Sequence, residues 1–138
     1  MVSKMAIFLD ASVFYGYANA DDIHHKEAKK IMEDVAGNKF GKSVTTDYIF
    51  DESVTVALRK ASKNTATLLG NFILNSEILL AKVNKFVFHK AWEIFKYTEG
   101  LSFTDCTSVA FMHMFGIEYI ATFDKGFKNI KGIKVVDK

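Results

Sequence analysis

Several residue types are scarce in this chain of 138 residues, and each scarcity excludes something. A single cysteine excludes an internal disulfide framework and a CxxC metal knuckle. Arg59 is the only arginine, so bidentate arginine contacts to phosphate are mostly unavailable, and phosphate binding would depend on lysines and backbone amides. Proline is absent, which indicates no particular function.

Long apolar runs are also missing, since none approaches the roughly 20 residues that a membrane span requires. Lys4 leads directly into an apolar segment, without the small-residue cleavage site of a leader peptide. The net charge is +2 and 25% of the residues are charged, which is ordinary globular composition and no sign by itself of nucleic-acid binding. We therefore expect a cytoplasmic protein with no membrane partner, folded as a single domain over residues 1–138.

Predicted strands and helices alternate along the whole chain. Residues 5–9 are apolar without interruption, which is typical of a strand buried on both faces of a parallel sheet. This alternation predicts an α/β fold, a three-layer sandwich with a central parallel sheet of about five strands and right-handed crossovers. The other strands are expected at 43–46, 78–81, 119–123 and 133–136, and the helices at 11–18, 23–35, 47–61, around 68–74, 85–97 and 101–115.

The helix over residues 23–35 has predicted boundary residues. Asp21 and Asp22 are expected to cap its N-terminus, because carboxylates accept hydrogen bonds from the first turn of a helix. Ile23 is expected to begin its apolar core stripe, and Gly37 is expected to end the helix as a C′ glycine.

Four acidic residues lie near the ends of predicted elements. Asp10 and Asp124 directly follow buried strands, Asp105 lies at the head of an apolar helix, and Glu52 lies at the edge of the apolar arc of the helix at 47–61. Open α/β sheets bind ligands at the carboxyl ends of their strands, so the four carboxylates are expected to form one site. Each also has an interpretation without chemistry: a helix cap for Asp10, a capping box for Asp105, a β-turn for Asp124 and a solvated face for Glu52.

Four carboxylates in one cleft repel one another, by roughly 4 kcal/mol per pair at ~4 Å with an effective dielectric constant near 20. Protonation or a divalent cation relieves that repulsion. Oxygen ligands without histidine or cysteine favour Mg²⁺ or Mn²⁺ over zinc. Such a cation activates a water molecule and stabilises the charge that develops on a phosphoryl group. The acidic cluster therefore predicts phosphodiester hydrolysis.

Four segments, taken in order, resemble the PIN-domain family, with the closest likeness to the short prokaryotic PIN proteins typified by VapC toxins. They are FLDAS at 8–12, DYIFDE at 47–52, SFTDCTS at 102–108 and TFDKGF at 122–127. The resemblance implies a metal-dependent ribonuclease with a five-stranded parallel sheet, in which Asp10, Glu52, Asp105 and Asp124 line the metal site. It also implies Ser12, and more weakly Thr107, as supporting hydroxyls near the metal or the scissile phosphate.

The same resemblance implies an RNA substrate, a protein antitoxin and a homodimer. Lys125 and Lys128 lie close enough to Asp124 in sequence to contact phosphate, although exposed lysines more commonly form a solvated face. Asp51 is a rival for the role of its neighbour Glu52.

Two classes of function stay open. The first is a ribonuclease, the toxin of a toxin–antitoxin pair. The second is a PIN-like RNA-processing or binding subunit with little nuclease activity of its own. A metal-dependent phosphatase or receiver-like domain fits less well, because Ala11 and Ser12 follow Asp10 and no DxD motif is formed.

Other reactive side chains are expected to be structural. Cys106 and His113 share one helix face, which suits a thiol nucleophile, but a cysteine in an apolar helix is more often a core residue. The apolar residues of 109–115 are likewise expected in the core. His24 and His25 point about 100° apart on a helix, so a shared metal site is awkward and a solvated helix start is expected.

Overall fold

The computed structural model describes residues 5–138 and contains one parallel sheet. Its strands are β1 (Ala6–Leu9), β2 (Lys42–Thr46), β3 (Leu79–Ala81), β4 (Tyr119–Ala121) and β5 (Lys134–Val136). The spatial order is β3-β2-β1-β4-β5, so β1 is central; Phe8 pairs with Val44 of β2 and with Ile120 of β4. The predicted five-stranded parallel sheet is confirmed.

Six α-helices cover the sheet: α1 (Ala11–Ala18), α2 (His25–Ala36), α3 (Asp47–Lys60), α4 (Lys63–Asn75), α5 (Lys85–Tyr97) and α6 (Phe103–Phe115). A 3₁₀-helix at Lys125–Asn129 replaces the simple turn expected there. Helices α1 to α4 pack against one another, as do α5 and α6. Right-handed crossovers put these two groups on opposite faces of the sheet, which gives the expected three layers.

The core lies between these layers. Ile7, Phe8 and Leu9 of β1 are fully buried, as expected for a central strand covered on both faces. Burying one such side chain contributes about 1.5–3 kcal/mol, so the apolar run that identifies β1 also anchors the fold. Among residues 5–138, no helix has the length and apolar character needed to cross a membrane.

The predicted start and end of α2 are wrong in detail. The N-cap residue is His24, and Asp22 lies before it and accepts a hydrogen bond from the His24 backbone N–H at 2.8 Å. Ile23 therefore precedes the helix and is 87% exposed instead of buried. At the C-terminus Gly37 has φ −79°, and Asn38 takes the left-handed conformation with φ 64°, which asparagine tolerates because its side chain bonds locally.

The core prediction for residues 109–115 is correct only in part. Residues up to Met112 are buried, whereas Met114 and Phe115 in the last turn of α6 are exposed. Further exposed large apolar side chains lie on α4 and α5: Leu68, Phe72, Leu74, Phe86, Phe88, Trp92 and Phe95. Amphipathic periodicity identifies a helix but does not reveal whether its apolar face meets the core or is left uncovered.

Candidate active site

The carboxyl ends of β1 and β4 define the site. The two strands pair in parallel with Leu9 opposite Ala121, so Asp10 and Thr122 leave the sheet side by side. The Asp10 backbone N–H donates to the Ala121 carbonyl oxygen at 3.1 Å and extends this pairing by one residue. This is the place where the strand order reverses, with β2 and β3 on one side of β1 and β4 and β5 on the other.

Asp10 is buried and held by two hydroxyl groups. Its Oδ2 accepts hydrogen bonds from Thr122 Oγ1 at 2.6 Å and from Ser12 Oγ at 3.3 Å. It occupies the N-cap position of α1, but its side chain makes no capping hydrogen bond. Burial raises the pKa of Asp10 to about 7; the hydrogen bond from Thr122 opposes this rise, and the charges of Asp105 and Glu52 add to it. A simple helix cap does not explain this carboxylate.

Asp105 forms the predicted capping box and also belongs to the acid cluster. Its Oδ2 accepts from the Ser102 N–H at 3.1 Å, and its own N–H donates to Ser102 Oγ at 3.0 Å, which is the predicted capping box. Burial raises the pKa of Asp105, and so do the charge and the direct carboxyl contact of Asp124, while the bonds to Ser102 oppose the rise. The capping box therefore fixes the orientation of a carboxylate that faces the other acids.

Glu52 lies in α3 and is partly buried. Burial raises its pKa, with the charges of Asp105 and Asp124 as the next causes and that of Asp51 last. Asp51 itself is exposed. The structure thus brings Glu52 to the other acids and leaves its rival at the surface.

Asp124 is exposed and closes the cluster on the β4 side. Its Oδ1 accepts from the Gly126 N–H at 2.8 Å, which caps the 3₁₀-helix much as the turn interpretation predicted. Its backbone N–H donates to Thr122 Oγ1 at 3.0 Å. Asp124 therefore forms the local turn and also acts on Asp105.

The two predicted supporting hydroxyls differ in placement. Ser12 Oγ donates to Asp10 Oδ2 and accepts from the Phe123 backbone N–H at 3.0 Å, so it joins the two sides of the site. Thr107 Oγ1 donates to the Thr104 carbonyl oxygen at 2.5 Å, one turn back in its own helix. The structure therefore places Ser12 at the acids and engages Thr107 elsewhere.

The two predicted RNA-binding lysines also differ. Lys125 is exposed and directly follows Asp124. Lys128 lies on the same 3₁₀-helix but forms an ion pair with Asp137, with 3.4 Å between Nζ and Oδ2. Lys125 is therefore the better placed of the two for a phosphate at the acid cluster.

Two polar residues of the site were missed by the sequence reasoning. Thr122 lies in the TFDKGF segment, and the parallel pairing of β1 and β4 is the signal that sets it beside Asp10. Tyr15, on α1, is partly buried, and its pKa is raised by burial and then by the charges of Asp10, Asp22, Glu52 and Asp124. Its phenol group thus lies within range of the acids, and the Nζ of Lys60 lies 5.3 Å from the centre of its ring.

The remaining reactive side chains have structural roles. Cys106 is fully buried, as expected for a core residue. His113 is exposed, and its Nε2 pairs with the Lys131 carbonyl oxygen at 3.1 Å, so the two do not form a thiol–imidazole pair. His25 Nδ1 pairs with the Gly16 carbonyl oxygen at 2.9 Å, which ties the start of α2 to α1.

The donor set suits a hard divalent cation, although within residues 5–138 no three acidic, histidine or cysteine side chains form a ready-made metal cage. Asp105 interacts with each of the other three acids, and its direct carboxyl contact is with Asp124. Mg²⁺ is commonly bound through one or two carboxylates, with water and substrate phosphate completing its coordination. A loosely spaced group of carboxylates fits that mode of binding.

The sequence also matches known proteins. The PIN domain profile matches residues 7–133. A VapC ribonuclease from Archaeoglobus fulgidus is 29% identical over 107 residues, which are 75% of this chain and 68% of that protein. The 23S rRNA-specific endonuclease VapC20 from Mycobacterium tuberculosis is 28% identical over 123 residues, 88% of this chain and 91% of that protein.

Solved structures agree with the sequence matches. The crystal structure of Mycobacterium tuberculosis VapC20, a sarcin–ricin loop cleaving toxin, superposes with a TM-score of 0.75 and 25% identity over 83% of this chain and 86% of that one. DNA-bound VapBC from Salmonella typhimurium gives a TM-score of 0.70 at 13% identity over 96% of this chain and 97% of that one, which shows the fold alone. The resemblance inferred from four short motifs is confirmed, and the chain belongs to the PIN-domain family.

Proposed function

We propose that this chain is a divalent-metal-dependent endoribonuclease that hydrolyses RNA phosphodiester bonds at Asp10, Glu52, Asp105 and Asp124. The main support is the convergence of these four carboxylates from separate parts of the chain at one edge of the sheet, where burial and mutual repulsion raise the pKa of three of them. Membership of the PIN-domain family and relatives named as ribonucleases agree with this activity.

The proposed cofactor is Mg²⁺ or Mn²⁺. Divalent-metal dependence is general in PIN-domain ribonucleases, and hard oxygen donors favour these two ions. Asp105 and Asp124 are the first candidates for direct ligands, because Asp124 is the acid that raises the pKa of Asp105. When bound, the cation supplies a water molecule of lowered pKa and stabilises negative charge on the phosphoryl group.

The protein's own side chains orient this chemistry. Thr122 and Ser12 hold Oδ2 of Asp10 and leave its other oxygen for a cation or a water molecule. Ser102 fixes Asp105 through the capping box. Lys125 supplies a positive charge beside Asp124 for the incoming phosphate, as a point charge and without the bidentate geometry of arginine.

The proposed substrate is a folded cellular RNA, which implies action in the cytoplasm. VapC20, the relative matched over 91% of its length, is specific for 23S rRNA, so the sarcin–ricin loop is the first substrate to test.

The proposed protein partners are an antitoxin and a second copy of the chain. VapBC complexes are among the proteins of similar fold, which supports an antitoxin. The homodimer is supported by an aromatic surface of Phe88, Trp92 and Phe95 on α5, each exposed by more than a third. Sedimentation velocity should show a dimer that Trp92→Glu converts to a monomer, whereas an unchanged dimer would place the interface elsewhere.

Cleavage of a mixed RNA panel tests the proposed activity. The panel contains a sarcin–ricin loop oligonucleotide, tRNA and unstructured single strands, each incubated with Mg²⁺ or Mn²⁺. We expect cleavage of at least one RNA that is lost both in EDTA and with Asp10→Asn. A folded wild-type protein that binds Mn²⁺ and RNA but cleaves nothing favours the alternative, a PIN-like RNA-processing or binding subunit. The single arginine, Arg59, leaves few strong phosphate contacts, which limits the RNA affinity and the range of substrates to be expected.

A further inference from the structure

Two aromatic rings lie stacked beside the acid cluster. The ring centres of His24 and Phe123 are 4.3 Å apart, and their planes differ by 10°. Phe123 immediately precedes Asp124, and His24 precedes α2. The proposed hydrolysis uses neither ring.

The main chain fixes both members of the pair. The Phe123 N–H donates to Ser12 Oγ at 3.0 Å, and a β-carbon added to Gly16 would lie 3.8 Å from Phe123 Cε2, so this ring packs closely on α1. The His24 N–H donates to Asp22 Oδ1 at 2.8 Å. Because both backbones are held before any substrate binds, the pair is a preformed surface.

Both rings are partly exposed. Phe123 lies against α1, and His24 lies on Phe123 and is partly exposed. The His24 imidazole makes no hydrogen bond within the part of the chain that the structure describes. A flat, partly exposed ring without hydrogen bonds is not needed to satisfy buried polar groups and is of the kind on which nucleobases stack.

We propose that His24 and Phe123 form a stacking platform for one unpaired nucleobase of the RNA, next to the phosphate that is cleaved. This inference rests on the proposed ribonuclease function and adds how the substrate is held. Proteins recognise single-stranded RNA by stacking splayed bases on Phe, Tyr, Trp or His. Asp124 and Lys125 directly follow Phe123, so the platform adjoins the residues that are proposed to meet the phosphate.

Binding in the Asp10→Asn background tests the platform without cleavage. The probe is a sarcin–ricin loop oligonucleotide carrying 2-aminopurine at one position at a time, since stacking quenches the fluorescence of this base. We expect quenching at one position, loss of that quenching with His24→Ala, and about tenfold weaker binding, in line with the cost of removing one base–aromatic contact. His24→Phe keeps a ring and should keep both signals. His89→Ala, an exposed histidine on α5, is the matched control.

A second measurement separates this role from a structural one. In the active enzyme, His24→Ala should raise KM about tenfold and leave kcat within about twofold. If the stack only fastens the loop before α2, His24→Ala lowers the melting temperature but leaves RNA affinity and quenching unchanged, which would overturn the platform.

The possible outcomes also separate the platform from the proposed hydrolysis. RNA cleavage that is independent of His24 refutes the platform alone. His24-dependent quenching by a wild-type protein that cleaves nothing refutes the hydrolysis and retains the platform, and no RNA binding at all refutes both.

Discussion

The hydroxyl of Thr122 donates a 2.6 Å hydrogen bond to Oδ2 of Asp10, a residue 112 positions away in the sequence. Thr122 Oγ1 in turn accepts from the Asp124 backbone N–H at 3.0 Å, so one side chain orients both acids that follow the paired strands. Hydrogen bonding to a carboxylate favours its charged form and here opposes the effect of burial. Thr122 therefore adjusts the charge of Asp10 as well as its position.

Replacing Thr122 by valine should weaken catalysis while keeping the shape of the side chain. We expect kcat/KM to fall about 10- to 100-fold, the range typical for residues that orient a metal ligand. Without the Thr122 hydrogen bond the pKa of Asp10 rises further, so the acidic limb of the pH–rate profile should move to higher pH. Thr122→Ser restores the hydroxyl and should restore both values. A Thr122→Val enzyme with the wild-type profile would contradict this role.

The stability of the metal-free protein should depend on the ionisation of Asp10. Its pKa rises from 3.8 to about 7 on folding, so the folded state favours the protonated form. The associated stabilisation is present in full below about pH 4 and is lost as the pH rises through about 7, and it amounts to on the order of 4 kcal/mol. Thermal unfolding in EDTA between pH 4.5 and 8.5 should show Asp10→Asn to be more stable than wild type at pH 8. If the melting temperatures of the two proteins changed with pH in the same way, Asp10 would not ionise in a buried site.

Metal binding should reverse this loss of stability. Carboxylates must be deprotonated to bind a cation, so affinity increases with pH. We expect Mn²⁺ to raise the melting temperature of the wild type more at pH 8 than at pH 5.5, and to have little effect on Asp10→Asn. A ligand at 100 times its Kd stabilises by about 2.7 kcal/mol, which is measurable in a small domain. An equal rise at both pH values would indicate binding outside the acid cluster.

Glu52 and Asp51 provide a matched pair of acidic substitutions on one helix. Glu52→Gln removes a charge that interacts with Asp105 and Asp124, whereas Asp51→Asn removes one at the surface. We expect Glu52→Gln to reduce cleavage at least tenfold and Asp51→Asn to leave it within about twofold. Cleavage assays at saturating Mn²⁺ compare the two variants directly. A larger loss of cleavage in Asp51→Asn than in Glu52→Gln would assign the catalytic role to Asp51.

Lys125 and Lys128 should contribute unequally to RNA affinity. Lys128 already pairs with Asp137, while Lys125 lies directly beside Asp124. Removing one phosphate contact lowers the slope of log affinity against log salt concentration by about 0.7 for single strands. We expect that change for Lys125→Ala and a smaller one for Lys128→Ala. If both variants had the same slope as the wild type, neither lysine would bind phosphate.

The fold class and the four candidate acids could both be predicted from the sequence. The apolar run at residues 5–9 is short, and predicted helices and strands alternate after it, so β1 and the parallel sheet could be predicted. Acids that follow such strands converge at one edge because parallel strands share a direction. Local patterns also gave the capping box of Ser102 and Asp105, since its two hydrogen bonds span only four residues.

The interactions that these residues make with distant parts of the chain could not be predicted, because they depend on tertiary packing. The choice of Glu52 over Asp51, the engagement of Thr107 within its own helix, and the contact of Thr122 with Asp10 all depend on how distant segments pack. The aromatic face of α5 has the same periodicity as a buried face but is left exposed. The periodicity of a helix shows which of its residues share a face. Whether that face is buried depends on which other elements pack against it.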